Sequence, residues 1–189
     1  MDRFTALLDA NVIYPVGLRD LLLRLADRNL YRVRWSEIIH DEWTRNVLKD
    51  RPDLTADKLQ RTRETMDRHF PDAVVVGFEP LIDGLTLPDA DDRHVLAAAI
   101  RGRADVIVTQ NLKDFPQEEL DPYEIEAQHP DDFAFSLFDL YPGAVLGAVR
   151  DHRAALKRQP RSSEEHIEAY EGMGMTKFAS AIQDYSDVL

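Results

Sequence analysis

The chain has 189 residues, of which 44% are hydrophobic and 31% charged, and its formal net charge is −12. This apolar fraction can supply a hydrophobic core, so intrinsic disorder is excluded as the main state. The absence of cysteine excludes a disulfide scaffold, a cysteine nucleophile and a thiolate zinc site. No apolar run approaches the roughly 20 residues that span a bilayer, and the first apolar stretch ends at Asp9. We therefore expect a cytoplasmic protein with no membrane partner and no signal peptide.

The negative charge is distributed unevenly along the chain. Residues 1–115 contain 20 acidic and 17 basic residues, whereas residues 116–189 contain 15 acidic and 6 basic residues. A uniformly acidic protein would be a poor ligand for nucleic acid, because phosphates are bound by Lys and Arg. The N-terminal part has a net charge of only −3, so the acidity of the whole chain does not exclude RNA as its ligand.

Short apolar strands alternate with amphipathic helices in the first part of the chain. The hydrophobic pattern predicts strands at 4–8, 31–35, 73–77 and 105–109, and helices at 18–25, 36–47, 55–70 and 95–100. This alternation predicts an α/β fold with a central, mostly parallel sheet covered by helices on both faces.

The pattern changes after about residue 128. From there it predicts only amphipathic helices, at 130–140, 143–158, 163–172 and 176–186. We therefore predict a domain over residues 1–128, followed by an acidic helical C-terminal extension over residues 129–189. Because about 60 residues form only a marginal core by themselves, we expect the extension to pack on the α/β core.

Acidic and polar residues follow the predicted strands. In a parallel sheet, ligands bind outside the carboxyl ends of the strands, so these side chains can meet at one edge. They lie after the first strand, on the helix after the second, in the loop before the alanine-rich helix, and after the last strand: Asp9 and Asn11; Glu42; Asp89, Asp91 and Asp92; Thr109, Asn111 and Asp114.

Such a cluster has a definite chemistry. Carboxylates that converge in a cleft repel one another unless they are protonated or bind a cation. Oxygen ligands without Cys or paired His favour Mg²⁺ or Mn²⁺ over zinc. A metal ion held in this way can activate water and neutralise a phosphodiester, so the pattern predicts metal-assisted phosphodiester hydrolysis.

Four segments resemble the signature segments of the PIN-domain nucleases, and most closely those of the VapC-type ribonuclease toxins of prokaryotic toxin–antitoxin modules. They are Leu7-Leu-Asp9-Ala-Asn11-Val, Ser36 with Glu42, Asp89-Ala-Asp-Asp92-Arg-His-Val-Leu-Ala-Ala-Ala, and Ile107-Val-Thr109-Gln-Asn111-Leu-Lys-Asp114-Phe. The segments occur in the family's order, and the resemblance covers residues 4 to about 128.

The resemblance implies a PIN-like α/β/α sandwich and an acidic pocket for one or two Mg²⁺ or Mn²⁺ ions. It assigns metal binding and catalysis to Asp9, Glu42 and Asp92, and a water- or ligand-positioning role to Thr109. The family's fourth acid is replaced here by Asn111, so Asp114 is the candidate in its place. Asp89, Asn111 and Asn11 are secondary candidates, and His94 is interpreted as structural.

The resemblance also implies an endoribonuclease that acts on RNA, is neutralised by a cognate antitoxin protein and forms a homodimer. Two alternatives stay open. A phosphatase of the haloacid-dehalogenase type also begins with a strand-terminal Asp, although Asn11 occupies the place of its second Asp. A degenerate PIN domain that only binds protein is the other, with Asn111 as a sign of lost activity.

Overall fold

The computed structural model describes residues 4–189, which form two compact units. Among these residues, the first unit consists of 4–14 and Arg32–Gln128, and the second of Pro15–Tyr31 and His129–Leu189. The division of the chain into two domains at residue 128 stays a prediction. By its contacts, however, the segment Pro15–Tyr31 groups with the C-terminal helices. None of the helices between residues 4 and 189 is both long enough and apolar enough to cross a membrane.

Four strands and ten α-helices make up the regular structure of the described residues. The strands are β1 (Thr5–Leu8), β2 (Arg32–Arg34), β3 (Val106–Val108) and β4 (Glu126–Gln128). The helices are α1 (Ala10–Ile13), α2 (Val16–Asp27), α3 (Glu37–Asp50), α4 (Ala56–His69), α5 (Arg93–Arg101), α6 (Gln117–Leu120), α7 (Pro130–Leu140), α8 (Pro142–Ala155), α9 (Ser163–Gly172) and α10 (Thr176–Ile182). Short 3₁₀ turns connect several of them.

The sheet of the first unit is entirely parallel, with the strand order β2-β1-β3-β4. The predicted PIN-like α/β/α class is therefore confirmed. β1 and β3 are the two central strands, and every residue of both is buried, as expected for strands that are covered on both faces. The pairing of Leu8 with Val108 brings the carboxyl ends of these two strands side by side.

One predicted strand is wrong and one strand was not predicted. Residues 73–77 do not form a strand of the sheet; only a single parallel bridge joins Val74 to Trp35, and Gly77 then turns the chain with a φ of +73°. The fourth strand is instead β4. Its sequence, Glu-Ala-Gln, has no β-branched or aromatic residue, and hydrogen bonds to its neighbour hold it in place.

Local sequence explains where the site-bearing helices begin. The Ser36 hydroxyl accepts a hydrogen bond from the Ile39 N–H and caps α3. The alanines of α5 are completely buried, because a helix with small side chains can pack closely. At the end of α5, a Cβ on Gly102 would lie 2.8 Å from Val75, which explains the glycine.

The second unit consists of α2 and the helices that follow residue 128. Asp131 joins α7 to the start of α10, because its carboxylate accepts hydrogen bonds from the backbone N–H groups of Lys177 (2.9 Å) and Phe178 (2.7 Å). A reciprocal capping box between Ser162 and Glu165 begins α9. The predicted helices at 130–140 and 163–172 are confirmed, whereas the predicted last helix ends earlier, at Ile182.

Candidate active site

The strand order creates one switch point, and open parallel α/β sheets form a crevice at such a point. Starting from β1, the chain adds β2 on one side and then crosses over to add β3 on the other. Ligands of parallel α/β sheets bind at this kind of switch point, outside the carboxyl ends of the strands. Asp9 follows β1 and Thr109 follows β3, so both lie at the switch point. The predicted convergence of these two residues is confirmed.

Asp9 is buried and held by three donors. Its side chain is only 3% exposed. Oδ1 accepts a hydrogen bond from the Ala10 N–H at 2.6 Å, and Oδ2 accepts from Asn11 Nδ2 at 2.6 Å and from Thr109 Oγ1 at 2.7 Å. A carboxylate offers about four acceptor positions, so one of them, on Oδ1, is left for a further ligand.

Thr109 and Asn11 form a clamp around Asp9. The Thr109 hydroxyl donates its proton to Asp9 and accepts from Asn11 Nδ2 (2.9 Å) and from the Asn111 N–H (3.0 Å). The Asn11 carbonyl oxygen accepts from the Gln110 N–H at 3.0 Å. The side chain of Asn11 therefore fixes the loop after β3 to α1.

Three further carboxylates come together beside this clamp. Asp89, Asp92 and Asp114 each offer one carboxylate oxygen, and these oxygens all lie within 4.8 Å of one another. Asp89 is exposed, and the other two are half-buried. Asn111 donates a hydrogen bond from Nδ2 to Asp114, so the amide orients the acid next to it. We call Asp89, Asp92 and Asp114 the acidic triad.

The electrostatics of the site reflect this crowding. Burial and, in decreasing order, the negative charges of Asp9, Asp89, Asp114 and Glu42 together raise the pKa of Asp92 to about 7. Burial likewise raises the pKa of Asp9 to about 6, against the opposing hydrogen bond from Thr109. A raised pKa means that the ionised carboxylate is destabilised, so the site favours a ligand that brings positive charge.

Glu42 occupies a different part of the site. It projects from α3, and its Oε2 lies 3.4 Å from Nε2 of His94 on α5. After burial, its charge contributes to the raised pKa of both Asp9 and Asp92, so it lies near both carboxyl groups. It is not, however, one of the three carboxylates whose oxygens converge.

The structure thus brings the predicted site residues to one crevice but groups them differently from the prediction. Asp92 and Asp114 converge with Asp89, which the sequence ranked only as secondary, while Asp9 and Glu42 lie around this triad. Which of them bind metal or act in catalysis stays a prediction. Sequence reasoning missed the pairing of His94 with Glu42, because the spacing of a single histidine on α5 cannot show which helix runs beside it.

The PIN-like α/β/α fold and the acidic residues at its switch point define the class of protein to which the chain belongs. A comparison with known families gives the same class. The family model described as "PIN domain" matches residues 5–113, which is more than half of the chain. The chain therefore belongs to the PIN-domain family. A second family model, described as "VapC50 C-terminal domain", matches residues 130–184 in the helices that follow residue 128.

A match to a curated protein indicates a more specific relationship within the PIN-domain family. A protein of Mycobacterium tuberculosis (strain ATCC 25618 / H37Rv), described as "Putative ribonuclease VapC50", is 59% identical over 58 residues. This match covers 31% of the chain and 34% of the relative, so the chain spans about a third of the length of the curated relative it matches. Together with the two family matches, it makes the chain a VapC-like member of the PIN-domain family. No solved structure matches the chain.

Proposed function

We propose that the protein is a metal-dependent endoribonuclease that hydrolyses RNA phosphodiester bonds and serves as the toxin of a toxin–antitoxin pair. One observation carries the proposal: oxygens of Asp89, Asp92 and Asp114 lie within 4.8 Å of one another, beside the buried Asp9 at the switch point of the sheet. Family membership and the name of the curated relative support the same reaction class. Neither the phosphatase alternative nor the degenerate binding module has support from these matches.

The donor set fits Mg²⁺ or Mn²⁺. The acidic triad supplies hard carboxylate oxygens and no thiolate, which is the chemistry that these ions prefer. Burial and, after it, repulsion from the neighbouring carboxylates raise the pKa of Asp92, and a divalent cation would relieve that repulsion. We infer that Asp89, Asp92 and Asp114 hold such an ion, with Asp9 and Glu42 available from the sides. When bound, the ion would polarise the phosphodiester and lower the pKa of a bound water.

The side chains around the triad have separate roles in this proposal. Asp9 is oriented by three donors and retains one acceptor position on Oδ1, which serves a ligand that enters the crevice. Thr109 holds that orientation with its hydroxyl proton, Asn11 fixes the loop after β3 to α1, and Asn111 orients Asp114. The reactive geometry is therefore preorganised before RNA binds, which lowers the cost of reaching the transition state.

The partners follow from the same proposal. RNA is the substrate, and a cognate antitoxin protein would bind the toxin and block the crevice, as the resemblance to VapC-type toxins implies. We further propose a homodimer and a cytoplasmic location, where RNA substrate and antitoxin are both present. A second metal ion would need Asp114 as a ligand, because Asn111 stands where the family has its fourth acid. The hydrogen bond from Asn111 to Asp114 would hold Asp114 for this role.

An RNA cleavage assay tests the proposal. The purified chain is incubated with total RNA and Mn²⁺, in parallel with EDTA and with the variants Asp92→Asn and Asp91→Asn. Asp91 is exposed and outside the triad, so its variant is the matched control for an acid in the same loop. We expect cleavage by the wild type and the control only. Cleavage that persists in EDTA would refute the metal mechanism, and the absence of both cleavage and Mn²⁺ binding would favour a non-catalytic PIN domain.

A further inference from the structure

Among the described residues, His94 is the one histidine at the candidate site to which the proposed function assigns no role. It lies in the first turn of α5, two residues after Asp92, and its Nε2 is 3.4 Å from Oε2 of Glu42 on α3. The His94 side chain is 11% exposed and that of Glu42 is 30% exposed. The pair therefore connects two helices at the wall of the site.

The hydrogen-bond partners of the ring indicate where its proton is. Nδ1 of His94 is buried, and among the described residues it has no hydrogen-bond partner. A neutral imidazole carries one N–H donor and one acceptor nitrogen. A buried donor without a partner is costly, whereas an unprotonated nitrogen loses less when it is left unpaired. The proton therefore belongs on Nε2, where it faces the Glu42 carboxylate.

The position of His94 relative to the acids makes it more than a packing residue. Beyond the effect of burial, both residues influence the pKa of Asp9, which Glu42 raises and His94 lowers, so both lie near that carboxylate. Glu42, in turn, is the acid that the structure leaves outside the triad. A donor on α5 that holds Glu42 on α3 would determine where this carboxylate stands relative to Asp92.

We propose that His94 is a positioning residue: its Nε2–H holds Oε2 of Glu42 and leaves Oε1 directed to the crevice. This inference rests on the proposed nuclease function. The separation of 3.4 Å is that of an ion pair and exceeds the usual N–H···O hydrogen-bond distance of about 2.7–3.2 Å, and hydrogen bonds in active sites are often long before the reacting complex forms. Side chains that orient metal ligands in this way typically change metal affinity or activity by about 10- to 100-fold when removed.

Three substitutions at one position provide the test. In His94→Gln, the side-chain amide nitrogen replaces Nε2 and keeps the donor near Glu42. In His94→Asn, the shorter amide cannot reach that far, and His94→Ala has no donor. We expect kcat for RNA cleavage to fall about 10- to 100-fold in the Asn and Ala variants and to stay within about fivefold of wild type in the Gln variant. KM for RNA should change by less than about twofold in all three variants.

Two measurements do not depend on cleavage. Calorimetric titration with Mn²⁺ should show about tenfold weaker binding in His94→Ala and near-normal binding in His94→Gln. The ¹⁵N shifts of the His94 ring at neutral pH should report a proton on Nε2. Equal losses in the Gln and Ala variants, unchanged activity and Mn²⁺ affinity in His94→Ala, or a proton on Nδ1 would each overturn the inference. If the wild type does not cleave RNA, the proposed function fails, while the titration and the ring shifts still decide the role of His94.

Discussion

Two buried histidines in the second unit should make its stability depend on pH. His152 on α8 and His166 on α9 are 3% and 1% exposed, and the Tyr170 hydroxyl lies between them. It is 2.8 Å from Nδ1 of His152 and 3.0 Å from Nε2 of His166. Burial lowers the pKa of His152 to about 4, with Asp20 acting in the opposite direction, and burial lowers the pKa of His166 to about 3, together with the neighbouring His152.

The sign and size of the effect follow from these values. A histidine whose pKa is depressed in the folded state binds a proton more readily when unfolded, so its contribution to stability is lost as the pH falls below 6.5. Both folded pKa values lie below 5, so at pH 5 the loss is set by protonation of the unfolded chain alone. It amounts to about 2 kcal/mol per histidine relative to pH 7.5.

Urea unfolding followed by circular dichroism from pH 7.5 to pH 5 measures this loss. His166→Gln keeps a donor near the Nε2 position and removes the titration. Between pH 7.5 and pH 5, the unfolding free energy of this variant should therefore decrease by about 2 kcal/mol less than that of the wild type. Taking this difference cancels the contributions of the first unit. There, the raised pKa values of Asp9 and Asp92 act in the opposite direction, because those acids are stabilised when they gain a proton.

The exposed His69 on α4 provides the matched control, since His69→Gln removes a histidine of the first unit from the surface. The pH dependence of its stability is measured alongside that of His166→Gln and of the wild type. The reasoning would be refuted if His166→Gln followed the wild-type pH dependence between pH 7.5 and 5, because His166 would then be protonated as easily in the folded protein as in the unfolded chain.

Three further predictions concern the site and the helices. Because Asp92 has a pKa of about 7, Mn²⁺ must displace a proton, so calorimetry should show Mn²⁺ affinity falling about tenfold per unit below pH 7; constant affinity from pH 6 to 8 would contradict this. Thr109→Val removes the hydroxyl that donates a hydrogen bond to Asp9 and should lower the unfolding free energy measured in urea by about 1–3 kcal/mol. Thr109→Ser keeps this donor and should retain most of the wild-type stability. Ser162→Ala removes the cap of α9 and should cost about 1 kcal/mol in the same assay, and an unchanged midpoint would exclude that role.

Much of the site was visible in the sequence because it depends on local pattern. Asp9 and Thr109 each follow a short, buried and mostly apolar run, as expected for two central parallel strands that are buried on both faces. The alanine-rich helix after Asp92 and the Ser36 cap of α3 are similarly local signals. These features predicted the α/β/α class and the convergence of polar residues at one sheet edge.

Pairings between distant segments were not visible, because no periodicity encodes them. β4 has weak strand propensity and forms only because β3 offers it a hydrogen-bonding edge. Asp89 and Asp91 are both acids of one loop, and only its folded path brings Asp89 into the triad. Likewise, His94 meets Glu42 only where α5 passes α3.

Patterns of residues close in sequence were sufficient to predict β1, β2 and β3, the acids at the ends of these strands and the resemblance to a family. How those acids are divided depends on contacts between distant segments, which only the folded chain shows. Asp89, Asp92 and Asp114 converge, Asp9 is held by Thr109 and Asn11, and Glu42 stands beside His94. The physical reason is that a carboxylate's neighbours, and hence its pKa and its free acceptor positions, depend on where separate segments meet in the fold.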